Sequence, residues 1–224
     1  MTSETFSKLM AAYRINFHQL QSKLQNSEDS ISVNIDRQIV WCCLRNLDVV
    51  TKVVPQSFEI SSHMARFFME LEVILKWLKQ DPVNYEAFVA DAEHANLNLH
   101  KSKRDAVEVG APQYLEKFQK NILMIEENIR VNGYDKYKEK LSELRNLKQT
   151  TLGFDEVSGK VFKAAFDYYS KMAHPTAWLI LTEPVSEEIT LIQREAMSGI
   201  NKALILILNR LGECYLLSKK IEDL

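Results

Sequence analysis

Two polar sets stand inside otherwise apolar segments, and their residue types suit acid–base and anion chemistry. SSHMARFFMELEVILKWL carries His63, Arg66 and Glu70; DYYSKMAHPTAW carries Tyr169, Ser170, His174 and Pro175. Burying a charge is costly unless it is paired, so such residues serve a polar network or a reaction. Arginine fixes an anion, and a glutamate beside it orients that anion or a histidine. Histidine moves protons.

The elements that must position these groups are helices. Each helical residue advances about 100°. With Leu71 at zero, the apolar stripe Met64, Phe67, Phe68, Leu71, Ile74, Leu75 and Leu78 lies within about 60° on either side. His63, Glu70, Trp77, Arg66 and Val73 then fall between about −80° and −160°, a second stripe bordering the first. This pattern predicts a helix buried on two sides, with Arg66 and Glu70 as an i,i+4 pair. His174 sits at the end of a later helix, where the negative dipole end favours a cation. Ser170, one turn earlier, shares its face, yet no glycine-rich nucleophile elbow surrounds it. The candidate cluster is therefore Arg66, Glu70, Ser170 and His174.

Other constellations are weaker. No Glu-x-x-His, CxxC, GxGxxG or GxxxxGK[ST] occurs, so no metal and no cofactor is expected. His94 and His100 diverge by about 120° around their helix. Arg14 and His18 form an Arg-x3-His. The cations of HKSKR at 100–104 are read as complementing the dipole of a helix end, with phosphate contact the alternative.

Along the chain, Phe6, Met10, Tyr13, Phe17, Leu20 and Leu24 mark a first helix from about Glu4 to Gln25. Ile39, Cys43, Leu47 and Val50 face inward on a second, which Pro55 stops. Ser57 caps the third, and Asp81-Pro82 reads as N-cap and N1 of the fourth, with Tyr85, Phe88, Val89, Ala92 and Leu99 on its apolar face. Leu115, Phe118, Ile122, Ile125 and Ile129 define a fifth, capped by Asn132-Gly133, and Tyr137, Leu141 and Leu144 a sixth. A loop at KQTTLGFDEVSG, a seventh helix from about Glu156 to Ala173, a short apolar piece AWLIL and a last helix capped by Ser186 and reaching about Lys219 complete the reading. Six glycines and five prolines interrupt little, and no hairpin-bounded alternation appears. The fold class expected is all-α: a multi-helix bundle of six to eight helices, one domain over 1–224, with 112–150 as a projecting helical hairpin.

Composition bounds the function. In 224 residues the formal net charge is −2, so no global basic field drives nucleic-acid binding. Adjacent Cys42 and Cys43 point apart on one helix and Cys214 is remote, which predicts reduced thiols in the cytoplasm. The N-terminal segment lacks an apolar signal region, and ALILIL at 203–208 is far short of the roughly 20 apolar residues of a membrane span.

Arg66-x3-Glu70 through Trp77-Leu78 and Asp81-Pro82, with Tyr169-Ser170-x3-His174-Pro175 later, resembles a bacterial family of helical domains of unknown function. There an arginine and a glutamate share one helix and a Tyr/Ser…His-Pro motif ends a later one. The resemblance spans roughly residues 35 to 215 and extends in general organisation to HEPN-type helical proteins, many of them RNA-cutting toxins or phage-defence components. This chain departs from their Arg-x4-6-His on one helix, since Arg14-x3-His18 is one residue short and its side chains are rotated by about 100°. Two function classes follow. The favoured one is a non-catalytic interaction module in which an Arg/Glu/His network is structural, the partner being a protein or a second copy of the chain. The resemblance implies the other: a metal-independent ribonuclease or nucleotide-acting enzyme, with His174 as acid and base, Arg66 stabilising phosphate charge, and RNA as partner.

Overall fold

The computed structural model describes the backbone of residues 2–54, 57–150 and 186–214. The protein is an all-α multi-helix bundle. Among the described residues seven α-helices occur: α1 Ser3–Gln25, α2 Ile31–Val53, α3 Phe58–Gln80, α4 Pro82–Gly110, α5 Leu115–Asn132, α6 Lys138–Thr150 and α7 Ser186–Cys214. Single 3-10 turns stand at Pro112–Tyr114 and Tyr134–Tyr137, and no described residue is in a strand. No described helix is long and apolar enough to cross a membrane. The helix expected over Glu156–Ala173 and the piece AWLIL lie outside the described residues. Of the expected loop, positions 148–150 belong to α6 and the remainder also lies outside.

Local chemistry sets the helix ends. The hydroxyls of Thr2, Ser30 and Ser57 accept from the backbone N–H of Thr5, Val33 and Ile60, each three residues on. Asp81 accepts from the Val83 N–H ahead of Pro82 at N1, a bond that holds its carboxyl below the usual range. Gly133 closes α5 in the left-handed region at φ 61°, ψ 36°, where a Cβ would be strained.

By its contacts the chain divides into two compact units, 1–79 with 147–224, and 80–146. In the first, the α1 stripe from Phe6 to Leu24 is fully buried, as its periodicity predicts. α1 and α2 run antiparallel: Arg14 pairs with Asp48, and the Arg37 guanidinium donates to the carbonyls of Leu24 and Ser27 at 2.9 Å each, securing the turn between them. Ser61 donates to the Val54 carbonyl at 2.6 Å, tying the start of α3 to the end of α2. Tyr13 donates to Asn201 Oδ1 at 2.5 Å, joining α1 to α7. In ALILIL, Ala203, Leu204, Ile207 and Leu208 are buried.

In the second unit α5 runs antiparallel to α4, with Lys101 bridging to Glu126 at 2.9 Å and His100 against the Phe118 ring. Beyond Gly133 the chain continues along α4: Tyr137 donates to Glu86, and Lys140 reaches Asp81 at 3.4 Å. Among the described residues, segment 112–150 meets α4 through these contacts. Leu99, expected inward, is 51% exposed; Asn84, Tyr85, Ala87 and Ala90 carry the buried face of α4. Nor is HKSKR a helix end. α4 continues to Gly110, so Lys101 meets α5 and Arg104 pairs with Asp105.

Two expectations follow from burial. Cys43 is fully buried and its thiol is pushed well above the ordinary range, first by desolvation and then by Cys42. Iodoacetamide at neutral pH should alkylate the partly accessible Cys42 long before Cys43, as peptide mass mapping would read. Burial also pushes Tyr13 up to about 12 from its ordinary value of 10. The unfolded phenol ionises first, so stability is whole below about pH 10 and falls towards pH 12, by roughly 2–3 kcal/mol for a shift of this size. Urea midpoints across that range should fall less steeply in Tyr13→Phe.

Candidate functional site

On helix α3 the second predicted stripe is buried at Val73 and Trp77, as the main stripe is at Phe68 and Leu75. On its border the Arg66 Nε donates to Glu70 Oε1 at 2.8 Å, with the side chains 26% and 31% exposed. His63, one turn before, is exposed. Tyr169, Ser170, His174 and Pro175 lie outside the described residues, and so does their pairing with Arg66 and Glu70.

The deeply buried charges are different residues. Glu72, 1% exposed, accepts from Arg210 Nε at 2.8 Å, joining α3 to α7, while its buried Oε2 has no hydrogen-bond partner among the described residues. Lys76 stands near both, its ammonium lowered first by desolvation, then by Arg210, against the pull of Glu72. Asp36, fully buried on α2, takes Lys79 of α3 at 2.6 Å. Asp36 continues the α2 stripe, three residues before Ile39 and seven before Cys43, so periodicity alone places it inward. Glu72 falls at about +100° from Leu71, outside both stripes of α3, so periodicity gave no signal for its burial.

A second polar constellation is open to solvent. Arg14, His18 and Gln21 of α1 and Trp41, Leu44, Arg45 and Asp48 of α2 line a groove of about 390 Å³. The Arg14 guanidinium bonds Asp48 and is the first cause of that carboxyl's lowered pKa. His18 Nδ1 lies 3.4 Å from Gln21 Oε1. Arg45 lies over Trp41, its Cζ 4.7 Å from the ring centroid. Arg14 and His18 therefore share one wall of a groove, a placement that spacing on α1 alone did not reveal. Among the described residues no group of three or more His, Cys, Asp or Glu side chains gathers as a metal site.

No protein-family model, curated protein or solved structure matches this chain.

The two kinds of charge pair should behave differently on mutation. Glu70→Ala removes a partly solvated i,i+4 pair and should cost about 0.5 kcal/mol, shrinking with salt. Arg210→Met leaves Glu72 charged and buried and should cost roughly 3–5 kcal/mol, much of it recovered in Glu72→Met/Arg210→Met. Chemical denaturation of the four proteins, wild type included, measures both.

Proposed function

We propose that this protein is a non-catalytic helical interaction module whose interior charges serve the fold. The observation that carries this reading is the use made of the buried carboxylates. Glu72 and Asp36 each accept a cation from another helix, so each links two elements. A reacting carboxylate must meet a substrate, whereas these meet Arg210 and Lys79 under packed side chains. Arg66, the arginine suited to hold phosphate, engages Glu70 of its own helix. A reducing cytoplasmic setting fits the free thiols of Cys42 and Cys43. The partner is a protein.

The test is directed at the ribonuclease alternative. Purified protein should leave single- and double-stranded RNAs intact in EDTA, which silences metal-dependent contaminants. Cleavage that disappears in Arg66→Ala or His174→Ala, with CD spectrum and melting temperature preserved, would establish a metal-independent nuclease instead.

A further inference from the structure

Resting on the interaction-module reading, we infer that the α1–α2 groove docks an acidic helical segment of a partner protein, one carboxylate seated on Arg45 beside an apolar side chain on Trp41. Three observations carry this. The first is shape. Arg14, His18 and Gln21 recur at i, i+4 and i+7, and Trp41, Leu44 or Arg45, and Asp48 do the same. The walls are antiparallel, so the groove extends about two helical turns, roughly 10 Å. A furrow between two helices of that length accepts the i, i+4 side chains of a third.

The second observation is charge. Arg14 is neutralised by Asp48. Arg45 faces no carboxylate among the described residues; it rests on the Trp41 ring, which holds the guanidinium plane in place while leaving its N–H groups to bond elsewhere. A fixed guanidinium with free donors matches a carboxylate, bidentately if the approach allows. Because the Arg14–Asp48 end is balanced, the acidic residue is selected at the Arg45 end only, which orients the bound helix.

The third is exposed aromatic area. Trp41 is 49% exposed, with Leu44 beside it at intermediate exposure. Tryptophan and arginine together are the residues that dominate protein-interface energetics. A nucleic-acid strand fits worse. Phosphate binding draws on several cations, and here one of two arginines is already matched by a carboxylate within the groove.

The experiment is a selection from a displayed library of random peptides of about 16 residues, long enough for a helix to span the groove. Wild-type protein is the bait, and Trp41→Ala/Arg45→Gln is the counter-selection. Both positions are exposed, and melting temperatures confirm the fold. Recovered peptides should carry Asp or Glu one turn from Leu, Ile or Phe. Resynthesised, they should bind Arg45→Gln at least about tenfold more weakly by fluorescence anisotropy. Absence of enrichment, peptides without acidic residues, or affinities indifferent to Arg45→Gln would overturn the inference. So would oligouridylate binding that depends on Arg45, or a Trp41-dependent dimer in light scattering. Peptides that bind independently of Trp41 and Arg45 would sink the groove but leave the module, whereas RNA cleavage in EDTA would sink the module by itself.

Discussion

Glu72 lies 1% exposed between Leu71 and Val73, and a carboxylate at that depth tolerates few arrangements of its surroundings. Its charge must be met by a cation at hydrogen-bonding distance, and the cation comes from α7, 138 positions later. That requirement sets the register of α7 on α3 more sharply than apolar contact does, because Leu and Ile tolerate small slides whereas an Nε–Oε1 bond does not. Asp36 and Lys79 impose the same condition between α2 and α3. Tyr13 and Asn201 tie α1 to α7. The first unit is thus a set of apolar helices held in one alignment by a few polar bonds.

What could be read in advance followed from how local the determining interaction is. The α1 stripe was fully legible, since one face of one amphipathic helix is decided by its own 3.6-residue period. Caps at Ser57, Asp81 and Gly133 were legible for the same reason: donor and acceptor are two or three residues apart. Leu99 went astray because at that level α5 meets α4 through His100 and Lys101, and which side of a helix a neighbour takes is a property of the partner element. The HKSKR cluster was misplaced by reading cations as a terminus when the helix had two more turns to run.

The candidate site was legible only where it is local. Arg66 and Glu70 pair as their spacing requires. Asp36 sits in the apolar period of α2, so its burial was legible but its partner was not; Glu72 lies outside both stripes of α3, and each takes its cation from another helix. The groove is a compound case. Arg14 and His18 stood out by type, but Trp41 and Arg45 gain meaning only when α2 is laid antiparallel to α1. The Arg37 guanidinium, bonded to the carbonyls of Leu24 and Ser27, helps hold that alignment.

The groove and the core share one helical phase. Six of the seven groove residues follow a core residue in the chain: Arg14 after Tyr13, His18 after Phe17, Gln21 after Leu20, and Trp41, Leu44 and Asp48 after Val40, Cys43 and Leu47; Arg45 follows Leu44. The groove face is therefore the core face rotated by about 100° on both helices. Point substitutions on it leave the packed stripe untouched and are cheap in stability. An insertion or deletion of one residue in either helix would rotate groove positions into the interior and core positions into solvent. Such a surface can diversify by substitution during evolution while its length stays frozen.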